Sequence, residues 1–425
     1  MPNVNIDQIR SLFPALSRDG DDVAPVFLDN PGGTQVPQSV IDAMTHCLIY
    51  ANANLGGAFK TSQRADEIVD QAHVAMADFV NANSSREIII GQNMTTLTFH
   101  MSRSIGNTLT AGDEIIVTKM DHDGNVTPWT LMARDHGLTV KYLPFNRETF
   151  EFEMADLEAL LTDRTKLVAV NHASNLTGTV NNVKAITERA HQAGALVYVD
   201  SVQFAPHSVI DVQEIGCDFL VCSPYKFFGP HMGVLWGRES VLLDLEPYKV
   251  RAAADDLPGC YETGTLSHEG MAGITAAVDY FAMIGRDFAE DQYRTRFSHF
   301  KGRRQNICAA LEYLTDYETP LTLRLIEGLG SFPKVKVQGI TNPNAMRSRV
   351  PTVSFTVDGV HPKDIVADIG KKGFQVWSGH NYAVEPTTHL GLMEKGGVVR
   401  IGIAHYNTMD EVERTLAAIA GHLGV

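Results

Sequence analysis

The feature that most constrains this chain is an alternation in its N-terminal and central parts. Short, almost continuously apolar runs are separated by helical stretches. The runs lie at 87–91 (EIIIG), 114–118 (EIIVT), 166–171 (KLVAVN), 195–200 (ALVYVD), 218–222 (DFLVC) and 233–237 (GVLWG). They lack the in–out alternation of a strand with one wet face. Continuous apolar character is what a strand needs when helices cover both faces of its sheet. Helical patterns at 63–80, 95–109 and 183–193 supply the cover. The expected fold class is α/β, a mostly parallel central sheet with helices on both faces.

After about residue 285 the pattern changes. A polar, Arg-rich helical stretch at 287–314 leads to strand-like 352–357 (TVSFTV) and 398–403 (VVRIGI), then to a terminal helix from Met409. This reads as a smaller α+β domain of residues 286–425 joined by 1–19, whose helix at 5–16 is expected to pack near it. Residues 20–285 form the large domain, and no low-complexity linker parts the two. A chain of 425 residues can bury cores of this size without disulfides or metals.

Composition removes several function classes. The formal net charge is −15, whereas nucleic acid and anionic membrane surfaces call for clustered Lys and Arg. Neither is an expected partner. No run reaches the ~18 apolar residues of a membrane span, and the opening MPNVNIDQIRSLFPALSRDGDD lacks the apolar core of a secretion signal. Cys47, Cys217, Cys222, Cys260 and Cys308 are scattered, with no C-x-x-C pair. That pattern suggests a reducing cytoplasm and neither a zinc site nor a disulfide framework. The stretch 121–125 (DHDGN) imitates a calcium loop but lacks the Gly and Glu that such a loop needs further on.

The chemistry lies in polar residues at the ends of the apolar runs, because ligands of open parallel sheets bind at the carboxyl ends of strands. Asp200 ends one run, with Gln203 just beyond. A buried carboxylate there suits a cationic ring nitrogen. Pyridoxal 5'-phosphate (PLP) needs such a partner to act as an electron sink. Lys226, in CSPYKFFGP one strand further on, lies among Tyr225, Phe227 and Phe228. Apolar surroundings lower a lysine's pKa and free its amine to attack an aldehyde. Alone, Asp200 reads as a turn cap and Lys226 as a surface lysine; at the ends of neighbouring strands they form a pair.

Thr95 and Thr96, in NMTTLT, open a helix directly after a strand, where a phosphate finds backbone N–H groups. Ser223 adds a hydroxyl near the lysine. Arg400 is a charge inside an apolar strand and carries the donor fork that a carboxylate takes. Asn175, in HASNLTGTV, is a candidate for the cofactor's ring hydroxyl or for the substrate carboxylate.

Taken in order, FLDNPGGTQVPQSV, NMTT, DHDGNVTPW, SNLTGTV, VDSVQFAPH, SPYKFFGP, YETGTLS and RIGIAHYNT run nearly the length of the chain. In them the chain resembles the class V aminotransferase family of fold type I PLP enzymes, and within it the cysteine desulfurase-like branch. The resemblance implies that Lys226 is the Schiff-base lysine and that Asp200 meets the pyridine nitrogen. It implies Gln203 at the ring hydroxyl, Tyr225 beside the cofactor, and Thr95, Thr96 and Ser223 around the phosphate. Thr265 matches a threonine that reaches the phosphate from a second subunit, which implies a homodimer with shared active sites. Arg400, helped by Asn175, matches the group that binds the carboxylate of a small amino-acid substrate.

The departures from that pattern carry as much information. Asp123 aligns with the histidine that stacks on the cofactor ring, and His122 precedes it; both are candidate acids or bases. Tyr225 replaces the histidine before the lysine. The segment 377–383 (WSGHNYA) resembles the branch's RTGHHCA, with Trp377 at its Arg and Tyr382 at its Cys. A phenol cannot form a persulfide. The expected reaction is therefore a β-elimination that breaks a C–S bond without storing sulfur on the protein. Amino transfer or epimerisation is the alternative, with Asp123, His122 or Tyr382 as a group on the second face. Intact Lys226, Asp200 and Arg400 argue against a catalytically silent binding protein.

Overall fold

The computed structural model describes residues 4–17 and 24–425, so the expected boundary between residues 19 and 20 lies outside the described residues. The strands in chain order are β1 (Val26–Phe27), β2 (Ile88–Gly91), β3 (Glu114–Thr118), β4 (Thr139–Leu143), β5 (Thr165–Asn171), β6 (Leu196–Asp200), β7 (Phe219–Cys222), β8 (Gly233–Gly237), β9 (Val335–Gln338), β10 (Thr352–Val357), β11 (Phe374–Gln375), β12 (Trp377–Gly379) and β13 (Val398–Gly402).

The large sheet has the order β2-β8-β7-β6-β5-β3-β4. Only β8 runs antiparallel to its neighbours. The α/β class expected from the apolar runs is what the chain adopts. The reason is visible residue by residue. Val197 and Val199 of β6 enter one hydrophobic cluster and Tyr198 enters the other, on the opposite face. Successive strand side chains point to opposite faces, so a strand with both faces covered must be apolar throughout. The strand that escaped the sequence reading, β4, is the edge strand beyond β3, and it grades from exposed Thr139 to buried Leu143.

A smaller antiparallel sheet, β12-β13-β10-β9, forms the second layer system, with Phe355, Val399 and Ile401 packed against helix residues Leu325 and Ile419. The terminal helix spans Met409–Leu423 behind a capping box made by Thr408 and Glu411. The Arg-rich stretch is not one helix. Helix His268–Asp287 ends where it was expected to begin; Asp291–Arg296 and Gly302–Ser331 follow, the last running through Pro320. The opening helix shortens to Ile6–Arg10 plus a single tight turn at Pro14–Ser17. It bridges the two layer systems: Arg10 pairs with Glu411 of the terminal helix (3.0 Å), and Phe13 packs edge-on against Phe228, Tyr280 and Tyr406. Among the described residues no helix is long and apolar enough to cross a membrane.

Candidate active site

A cleft of about 650 Å³ opens at the carboxyl edge of the large sheet, closed on its far side by β12 and β13. Parallel pairing places Asp200 opposite Asn171 and Val221, at the very ends of β5, β6 and β7. After β7 the chain makes one tight turn, Pro224–Lys226. Phe227 and Phe228 are fully buried, Phe227 stacked on Phe79 with centroids 4.8 Å apart. Phe228 takes the left-handed φ of 68° that a bulky residue rarely adopts. The two rings anchor the turn in the core and leave Lys226 facing the cleft, its Nζ donating to the Pro31 carbonyl and lying 4.7 Å from the Tyr225 ring centroid.

Burial pushes the Lys226 amine down to about 7; neighbouring Arg400 adds to the effect, while Asp200 and Asp29 oppose it. Burial also pushes the Asp200 carboxyl up to about 6, against the Val202 N–H that it accepts (2.9 Å) and the charge of Lys226. Asp200 is thus a buried acid short of a cation.

The helix that opens at Met94 is brought against the sheet by Gly233, where a Cβ would stand 2.3 Å from the Asn93 carbonyl carbon. Asn93 caps that helix through the N–H of Thr96 (2.8 Å) and also accepts from the Thr96 hydroxyl (3.0 Å). Thr96 is exposed and outside the cleft wall, so of the two expected phosphate threonines only Thr95 faces the cleft, with Ser223 across from it. The cap explains the difference, since it fixes which way each hydroxyl turns.

On the opposite wall, Arg400 Nη1 donates to the Asn175 carbonyl (3.0 Å), and Asn175 Nδ2 donates to the Asn381 carbonyl (2.8 Å). Gln203 Nε2 donates to Thr352 Oγ1 (3.0 Å). Four buried polar atoms around the cleft have no partner: Gln203 Oε1, Asn175 Oδ1, Arg400 Nε and Asp29 Oδ1. Orphaned buried polar atoms are rare in folded proteins and call for a ligand, an ion or water.

The DHDGN loop differs from its expected reading. His122 Nδ1 accepts the Gly124 N–H (2.9 Å), so the neutral ring carries its proton on Nε2. Burial, with Lys226 and Arg400 nearby, pushes this imidazole down to about 3. The Asp123 carboxylate accepts from the Thr127 hydroxyl (3.0 Å), and its charge acts on Glu385 and Tyr142, away from the lysine. The ring that senses Lys226 therefore belongs to His122, although Asp123 occupies the aligned position. Tyr382 lies at the mouth, 68 % exposed. Thr265 is exposed and outside the cleft of its own chain. All five cysteines are buried, and none is among the residues of the cleft wall.

Asp29 was missed. It follows β1 and bridges to Gly402, two residues after Arg400, so its position depends on chain segments far apart. Burial raises its carboxyl, and Arg400 and Lys226 hold it back. The only local sign was an acid placed directly after an apolar VFL run and before the PGG turn.

Residues 26–308 and 305–415 match the family model described as Aminotransferase class-V. The chain belongs to the class-V aminotransferase family. Among relatives of this class-V protein are an aminotransferase-like protein FGM3 of Gibberella zeae, 33 % identical over 98 % of both chains, and a probable cysteine desulfurase of Synechocystis sp., 33 % identical over 97 % of this chain and 94 % of the other. A cysteine desulfurase from Thermococcus onnurineus superposes with a TM-score of 0.86 at 26 % identity over the whole of both chains. The cysteine desulfurase CsdA from Escherichia coli gives 0.82 at 25 % identity, over 99 % of this chain and 98 % of that one.

Proteins of this family are PLP-dependent, and the class-V cleft fits the cofactor: a lysine with a lowered pKa, a buried acid at the strand ends, the Thr95 hydroxyl at a helix start with Ser223 also in the wall, and an unpaired amide oxygen on Gln203. Bound there, PLP supplies an aldehyde that takes up an amine and a ring that accepts an electron pair from Cα.

Proposed function

We propose that this chain is a PLP-dependent lyase that removes a sulfur substituent from Cβ of an amino acid and stores no sulfur on itself. The observation that carries the reading is the pairing of a buried Lys226 amine, facing the cleft with a lowered pKa, with a cleft wall free of thiol among the described residues. In this reading Lys226 holds the cofactor, Asp200 keeps its ring nitrogen protonated, and Gln203 and Asn175 meet the ring hydroxyl. Thr95 and Ser223 take the phosphate, Tyr225 lines the cofactor, and His122 faces the ring. Arg400 takes the substrate carboxylate. With the cofactor bound, Lys226 Nζ would be the base that takes the Cα proton. The C–H electron pair becomes a Cα–Cβ double bond as the Cβ–S bond breaks, and sulfur leaves with its bonding pair. Water then converts the enamine product to a keto acid and ammonia.

Two copies of the chain share their sites in this reading, each bringing its Thr265 to the other's phosphate. The exposure of Thr265, Leu48, Ile49 and Phe59 supports it. Five unpaired cysteines support a reducing, cytoplasmic setting.

The test is incubation with cysteine and its S-substituted derivatives, measuring keto acid and thiol or sulfide. Equal yields before and after alkylation of accessible thiols are expected. Amino transfer to an added keto acid with no ammonia release would replace the reading by the second one, aminotransferase, which the aminotransferase-like relative supports. Hydrogen exchange at Cα with inversion would indicate epimerisation.

A further inference from the structure

Trp377 stands directly across the ladder of β12 and β13 from Arg400. It is 54 % exposed, and the N–H edge of its indole lies beside Gly32. A Cβ built on Gly32 would lie 2.9 Å from Trp377 Nε1 and 3.7 Å from Arg400 Nη2. The two donors converge on one spot beside the Gly32 backbone. The spot adjoins the reacting end of the cleft, because the carbonyl of Pro31, one residue back, accepts from Lys226 Nζ.

The three indoles of the chain are not alike. Trp129 and Trp236 are buried and donate their N–H groups to Asn125 and Glu87 (both 3.0 Å). The Trp377 N–H has no acceptor among the described residues, and it borders the cleft beside Arg400, whose own buried Nε is unpaired. A carboxylate has two oxygens, each able to take a separate donor.

We propose that Trp377 Nε1 donates to one oxygen of the substrate's α-carboxylate while Arg400 binds the other, in the space that glycine leaves at position 32. The inference rests on the reading of Arg400 as the carboxylate's partner. A neutral N–H sets the carboxylate's direction without adding a second positive charge beside Lys226, whose amine Arg400 already pushes down. A side chain at position 32 would crowd the indole, its Cβ standing 2.9 Å from Nε1, and would displace the donor from the carboxylate.

The experiment titrates the holoenzyme with two probes that react with the cofactor's aldehyde carbon and bleach its visible band. Aminooxyacetate carries a carboxylate; O-methylhydroxylamine does not. In Trp377→Phe, which keeps a ring and loses the N–H, the apparent affinity for aminooxyacetate is expected to fall ~10-fold, the lower weight of a hydrogen bond to a charged group. O-methylhydroxylamine should bind as before. Gly32→Ala should give the same selective loss. Equal loss for both probes in Trp377→Phe, or loss for neither, overturns the proposal. Arg400→Gln separates the two inferences: if it discriminates between the probes and Trp377→Phe does not, only the role of Trp377 falls. If Arg400→Gln fails to discriminate, the carboxylate reading falls and the inference with it.

Discussion

The ring of His122 lies stacked on the ring of Tyr382, centroids 5.5 Å apart and planes inclined by 14°. The backbone reinforces the contact, since the Asp123 N–H donates to the Tyr382 carbonyl (2.8 Å). Asn381 and Tyr382 hold left-handed φ values of 51° and 58°, a conformation that costs non-glycine residues energy and persists only when the surroundings fix it. The loop after β3 and the loop after β12 are thereby locked together across the cleft mouth, with Tyr382 at the position that resembles the branch's sulfur-carrying cysteine.

That placement makes a direct test. Tyr382→Cys puts a thiol at the mouth of the cleft. After incubation with cysteine, the introduced thiol is expected to attack the substrate's Sγ and take that sulfur as a persulfide, while the S–Cβ electron pair stays on Cβ and, with a proton, leaves alanine. The variant then gains the mass of one sulfur atom with an equal amount of alanine, and the wild-type chain gains none. Intact-protein mass spectrometry reads the outcome. A sulfur adduct on the wild-type chain would contradict elimination without storage.

Lys226→Ala removes both the cofactor's attachment and the base at Cα. Turnover should fall by ~10²–10⁴-fold or more, the usual weight of a positioned base. Asp200→Asn should keep PLP bound and lower kcat with little change in KM. An unchanged kcat would remove Asp200 from the ring-nitrogen role.

The Lys226 amine, pushed down to about 7, sets a pH dependence for cofactor uptake by the apoprotein. Only the neutral amine attacks an aldehyde, so the rate should rise with pH by about tenfold per unit below the midpoint and level off above it. Arg400 is the second cause of the lowered value, after burial. Arg400→Gln should therefore move the midpoint upward. Stopped-flow absorbance with added PLP measures both curves, and a midpoint that stays in place in Arg400→Gln would refute the coupling.

Gly285 supplies a test of the fold away from the cleft. A Cβ there would stand 1.9 Å from the Asn306 carbonyl oxygen, where helix His268–Asp287 crosses helix Gly302–Ser331. Gly285→Ala must push the helices apart, at a cost of about 1–3 kcal/mol, typical of an overpacked core. Denaturant titration should show a lower midpoint with an unchanged slope.

The sequence by itself determined the sheet and the two residues at its carboxyl edge. A strand buried on both faces is written as an unbroken apolar run, and β6 and β7 end at the places where Asp200 and the Lys226 turn begin. The same rule hid β4, an edge strand with graded exposure. Pro320 made a single long helix hard to read, because proline lacks the N–H that a helix interior uses, yet packing carries the helix through it. The tertiary structure alone decided where each neighbour in a pair points. Thr95 rather than Thr96 faces the cleft, and the His122 ring lies within reach of the Lys226 charge while Asp123 accepts from the Thr127 hydroxyl, because a cap and a turn set side-chain direction within one residue. Asp29 and the pair formed by Trp377 and Arg400 were decided at the same level. Their meaning comes from a bridge that joins Asp29 to a residue hundreds of positions on and from the strand pairing that sets Trp377 opposite Arg400, and no local pattern records which residues will be neighbours.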